Sequence, residues 1–123
     1  MLNSQKGFTL IELIMVIVIL GVLAVVAVPK YQDLSTEAKV AAANGVYAAA
    51  EGAAAINFAT RLVSPSMATP ITTGALLIAA MDGTPKGWAP SGATISDSTS
   101  TYHIGITTGE GPGNKAKLAK SGF

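Results

Sequence analysis

A single carboxylate, Glu12, stands inside an apolar run that opens at Phe8 and closes at Val28, immediately before Pro29. About 21 residues rising about 1.5 Å each span about 30 Å, the thickness of a bilayer's hydrocarbon core. The run has no polar face, so a helix built from it must be surrounded by apolar material on every side. A plain anchor has no use for an acid there. On an insertion scale an acid at mid-membrane costs about 2.5–3.5 kcal/mol, and less toward the edge. An acid in such a place is by default a functional group that needs a partner.

An ordinary secretory signal is the competing reading of this run. It places small residues at the cut, and cleavage after Ala24 or Ala27 fits that rule loosely. Glu12 inside the apolar core argues against it, as does helical patterning that resumes beyond Pro29-Lys30-Tyr31. Lys6 before the run, with no strong positive cluster after Pro29, orients the leader side toward the cytoplasm.

The motif Lys6-Gly7-Phe8-Thr9-Leu10-Ile11-Glu12-Leu13, followed by the apolar run with Gly21, Pro29 and Tyr31, resembles the front of a type IV prepilin. Residues 16–25 are especially similar to the mannose-sensitive haemagglutinin type of pilin. The resemblance covers roughly residues 1–62. It implies a leader at 1–7, removed by a membrane prepilin peptidase cutting after Gly7. It implies a new amino terminus at Phe8, commonly N-methylated, and a role for Glu12 in meeting the terminal amine of a neighbouring subunit. Two charges buried singly in an apolar bundle are each costly, so their pairing would act as a registration device. Gly21 and Pro29 weaken the helix, since proline removes a backbone donor and clashes with the preceding turn. In pilins this stretch can lose helical hydrogen bonding on assembly. Family members often close a C-terminal loop with a disulfide; this chain has no cysteine, so the head must be held by packing or by neighbours.

Residues 31–63 continue the helix. Half of residues 38–59 are alanine, the best helix former. Small residues recur four apart, Gly45 with Ala49 and Ala48 with Gly52, which lets another backbone approach. One side is read as packing on the head and another as packing on neighbouring helices. Val63-Ser64-Pro65 ends the helix, because the residue before proline avoids helical dihedrals.

Residues 64–123 change to Gly, Ser, Thr and Pro. The apolar run 75–81 has a periodicity that fits a short helix or a buried strand, and the helix is the reading taken. Segments 93–96 and 102–107 alternate as strands, with 97–100 turning between them. Trp88 is read as a core aromatic. Lys115, Lys117 and Lys120 form a modest basic tail, read as solvated surface rather than a nucleic-acid site.

No catalytic constellation is present in the sequence. His103 is the sole histidine, so metal-ligand spacings based on paired histidines are excluded. The stretch Gly109-Glu110-Gly111-Pro112-Gly113-Asn114-Lys115 is superficially like a phosphate loop. Asn114 occupies the required glycine position and Ala116 replaces the hydroxyl, so a tight turn is expected. Asp82, Asp97 and Glu110 are too scattered to assert a calcium site. No cofactor or metal is expected.

The expected fold class is α+β: a long N-terminal α-helix and a small head of short antiparallel strands and loops. The expected organisation is leader 1–7, membrane or filament-core helix 8–30, Ala-rich helix 31–63 and head 64–123. As the resemblance implies, the chain is a non-enzymatic major pilin, held in the inner membrane by a single pass before assembly. It polymerises with itself into an extracellular filament for adhesion and motility. Its partners are the prepilin peptidase and the pilus assembly machinery. A pseudopilin of a type II secretion system shares the same front end. A monomeric, membrane-anchored binding domain is the alternative of a different class.

Overall fold

The structure is a computed structural model and describes residues 6–123. Positions 1–5 of the expected leader lie outside the described residues. One helix, α1, runs from Leu10 to Val63. It is followed by a short helix, α2 (Gly74–Ala80), and four strands: β1 (Trp88–Ser91), β2 (Thr94–Asp97), β3 (His103–Thr108) and β4 (Lys117–Ser121). The α+β class expected from the sequence is the one observed. The chain separates into two compact units, Met1–Lys39 and Val40–Phe123.

In the first unit every described residue is exposed. An 18-residue window of α1 reaches a mean hydropathy of 3.1 with none of it buried. A helix that served as the core of its own domain would be covered by that domain. This one is not, so its apolar surface requires lipid or other chains. The helix passes through Gly21 and Pro29 without a break. At Pro29 no backbone N–H exists to bond the Val25 carbonyl, so the ladder is thinned there.

In the second unit the strands form an antiparallel meander in chain order, β1-β2-β3-β4. The register pairs Ile95 with Ile104 across β2 and β3, and Ile106 with Leu118 across β3 and β4. These side chains share one face of the pleat. They meet Ala50 and Ala54 of α1, with Ile71, Leu77, Ile78 and Ala116 completing the core. Buried α1 positions 43, 50, 53 and 54 are all alanine. With no side chain beyond Cβ, they bring the helix backbone close to the sheet. The small residues Gly45, Ala48, Ala49 and Gly52 lie on the exposed side.

The run read as a short helix is α2. Thr73 caps it by accepting the Leu76 N–H at 3.3 Å. The expected hairpin is β2 and β3. Its connection is tied down by Asp97, whose carboxylate accepts the N–H groups of Thr99 (3.1 Å), Thr101 (2.8 Å) and Tyr102 (2.8 Å) and the Thr99 hydroxyl. The expected turn near Pro112 closes through a bridge between Gly111 and Asn114. Trp88 is half-buried against the core.

Two strands went unread in the sequence. β1 contains Pro90, which breaks strand patterning; it is tolerated because β1 is an edge strand. β4 carries Lys117 and Lys120, with Lys115 just before it; these lysines keep much of their surface in solvent as expected, and two of them also contact α1. Lys115 Nζ lies 2.6 Å from Glu51 Oε2. Lys120 Nζ lies 2.5 Å from Asn44 Oδ1, 5.6 Å from the Tyr47 ring centre and 5.0 Å from the Phe123 ring centre. The segment is paired to β3 and fastened to α1 by its charged side chains.

Candidate assembly site at the start of the apolar helix

Phe8 and Thr9 precede the first helical residue, Leu10. Phe8 is 94% exposed, and no atom lies within 4 Å of where a Gly7 side chain would stand. The Gly7–Phe8 bond is therefore unobstructed by the described chain. Glu12 sits in the first turn of α1. A shallow apolar concavity is lined by Phe8, Glu12, Leu13, Met15 and Val16.

The acid is not bare. The Thr9 backbone N–H donates to Glu12 Oε2 at 2.9 Å, and the Thr9 hydroxyl donates to the same oxygen at 2.8 Å. In return the Glu12 N–H donates to Thr9 Oγ1 at 3.3 Å. This is a capping box, in which a threonine and an acid three residues later satisfy each other's orphan groups at a helix start. An anion in the first turn also complements the positive end of the helix dipole. The sequence carried the signal: Thr9-Leu10-Ile11-Glu12 is a Thr-x-x-Glu pattern ahead of an apolar run. Reading the acid as a lone charge in the run obscured it. Hydrogen bonds from neutral donors disperse the charge but do not cancel it.

A second polar cluster lies in the other unit. Glu110 is buried and accepts from Arg61 Nη1 at 2.7 Å, from Asn57 Nδ2 at 2.9 Å and from the Ile71 N–H at 3.3 Å. Burial alone would raise its pKa; the hydrogen bonds from Arg61, Asn57 and Ile71 outweigh that and hold it below the ordinary glutamate value. Asn57 Nδ2 also donates to the Thr69 carbonyl at 2.9 Å. Glu110 and Asp97 are thus committed to different partners, and among the described residues no three His, Cys, Asp or Glu side chains gather as a metal site. His103 Nδ1 faces Ser96 Oγ at 2.7 Å across the β2–β3 ladder.

Residues 2–28 match the prokaryotic N-terminal methylation motif. The chain is 48% identical over 52 residues to a type IV major alpha-pilin of Moraxella bovis, covering 42% of this chain and 33% of that protein. It is 62% identical over 39 residues to a type IV major pilin of Neisseria gonorrhoeae, covering 32% and 24%. A fimbrial protein of Pseudomonas aeruginosa is 51% identical over 39 residues, covering 32% and 25%. The N-terminal segment of the chain is similar to the N-terminal segments of type IV pilins and fimbrial proteins. These pilin matches span a quarter to a third of each relative's own length. No solved structure matches the chain. The matched segment, residues 2–28, includes Gly7, Phe8, Thr9 and Glu12, so the capping box lies wholly inside it.

Proposed function

We propose that this protein is a structural subunit, a major pilin, that polymerises through α1 into an extracellular filament. The observation that carries the proposal is an uncovered 18-residue window of α1 with mean hydropathy 3.1, in an apolar run interrupted near its start by one acid, Glu12. A bilayer and a bundle of identical helices both supply the all-round apolar contact this surface needs. One surface can therefore serve a membrane-stored subunit and an assembled one.

In this reading the prepilin peptidase cuts after Gly7, and Phe8 becomes the N-methylated terminus. The Phe8 ammonium of one subunit meets Glu12 of another inside the apolar core. Either charge left alone there is strongly destabilising, so only the register that pairs them is populated. Gly21 and Pro29 are the points where α1 loosens on assembly. Residues 64–123 form the outward head, and adhesion and motility belong to the assembled fibre. The role is structural rather than enzymatic.

Mass spectrometry of the N-terminal peptide, with electron microscopy of sheared surface filaments, tests this. The expected results are a methylated Phe8 terminus and filaments containing this chain, lost in Glu12→Ala and Glu12→Gln. A mature terminus at Met1, Val25 or Val28 removes the reading. A short periplasmic polymer tied to protein export would assign the chain to a pseudopilus instead.

A further inference from the structure

We propose that the bond between Asp82 and Gly83, on the connection from α2 to β1, is a site of spontaneous isoaspartate formation, and that the fold confines this chemistry to it. The site lies in the head and is independent of the apolar helix. In the reaction the Gly83 nitrogen attacks Cγ of Asp82. An N–Cγ bond forms, a carboxyl C–O bond breaks, and the hydroxyl leaves as water with the amide proton. Water then opens the cyclic imide. Opening on the main-chain side frees a carboxylate at Cα, and the backbone now runs through Cβ and Cγ, one atom longer. The modified fraction records the age of the chain.

The structure leaves both reacting groups at this bond free. Asp82 and Gly83 are exposed. Among the described residues the Asp82 carboxylate enters no ion pair or hydrogen bond, and the Gly83 N–H enters no backbone hydrogen bond. Asp82 stands in the left-handed region (φ 60°), past the last turn of α2, so no helical ladder holds the bond. Gly83 has no side chain to obstruct the approach, and no atom lies within 4 Å of where one would stand.

By sequence alone another bond ranks first, because Asn44-Gly45 joins a more reactive amide to the same unhindered glycine. The fold reverses that order. Asn44 and Gly45 lie inside α1, where the Gly45 N–H belongs to the helical ladder and cannot turn to the preceding side chain. Asn44 Oδ1 is also held by Lys120 Nζ at 2.5 Å. Asp97 is withheld in another way, by the donors of its own turn.

The test uses Asp82→Asn, which places the same Asn-Gly dipeptide at both positions with a residue that tolerates the left-handed region. The full chain in detergent is aged near neutral pH, and its peptides are read for deamidation by mass spectrometry. Reaction at position 82 is expected to outpace that at Asn44 by at least about tenfold, because Gly45 reacts only when the helix opens locally. In concentrated urea the two rates are expected to converge. In the aged parent chain, electron-transfer fragmentation is expected to find isoaspartate at position 82. Reaction at Asn44 that keeps pace in the folded chain overturns the proposal. So does a rate difference that urea leaves unchanged, or an aged parent chain with no isoaspartate at position 82.

Discussion

Arg61 and Glu110 meet at 2.7 Å with the Glu110 side chain wholly shielded from solvent and that of Arg61 17% exposed. The pair is 49 residues apart in sequence. It fastens the loop before β4 to the last turns of α1, in a head that has no disulfide. Truncating one partner strands the other as an uncompensated charge, which costs about 3–5 kcal/mol at buried sites. Glu110→Ala is therefore expected to be the most damaging single polar change in the head. Glu110→Gln keeps an acceptor for Arg61 and Asn57 and is expected to cost less. Trp88 is the sole tryptophan and packs on the core, so urea melts of the full chain in detergent, followed by its fluorescence, report the loss.

Acid should loosen the same head. The folded pKa of Glu110 is depressed, so its stabilising contribution is fully present above the unfolded glutamate value of about 4.3. It is lost as pH falls below that value through the folded pKa. Asp97 acts in the same direction: the Thr99 hydroxyl, with the backbone N–H groups of Tyr102, Thr99 and Thr101, holds it down to about 2. Its window runs from the unfolded value of about 3.9 down to about 2. The Trp88 signal is expected to hold steady near neutrality and to fall in that acid range. In Glu110→Gln the fall should be shallower.

Lys115 and Glu51 form a contact of the opposite kind. Their 2.6 Å pair keeps 40% and 31% of its side-chain surface in solvent. Exposed pairs of this sort are worth about 0.2–1 kcal/mol and are screened by salt. Lys115→Ala is expected to shift the urea midpoint slightly at low ionic strength, and by less in 1 M salt, where the Debye length is about 3 Å. An effect matching that of Glu110→Ala would contradict this ranking.

The glycines separate packing within a subunit from packing between subunits. A Cβ at Gly74 would overlap the Thr94 carbonyl, so Gly74→Ala is expected to push α2 off the sheet and lower head stability. At Gly45 and Gly52 a Cβ would meet nothing within 4 Å. Gly45→Ala and Gly52→Ala are thus expected to stabilise the isolated chain by up to about 1 kcal/mol each, through helix propensity. If that exposed face packs on neighbouring helices, the same two changes lower filament yield. Thermal melts beside filament counts check both halves.

Local pattern alone was enough for the elements whose cause is local. The apolar run determined the membrane-length helix, alanine content carried it on, and Ser64-Pro65 ended it close to Val63. The alternation on either side of residues 97–100 determined the β2–β3 hairpin, because hydrophobic period and turn chemistry act within a few residues; the run 75–81 suggested α2, but its period alone left a buried strand open. The Thr9–Glu12 box was also legible, as a spacing of three, although the charge drew attention away from the cap.

Only the tertiary structure decided what depends on partners far along the chain. Which alanines of α1 are buried follows from where the sheet lies against them. Edge strands β1 and β4 have weak patterns of their own, and exist because β2 and β3 offer them free hydrogen-bonding edges. Glu110 looked like one more scattered acid, and Lys115 and Lys120 like a solvated tail. Each gained its partner from a residue 49 to 76 positions away; of the three only Glu110 is stripped of water, and a charge is held at such a position because folding supplies its counterpart at the same time.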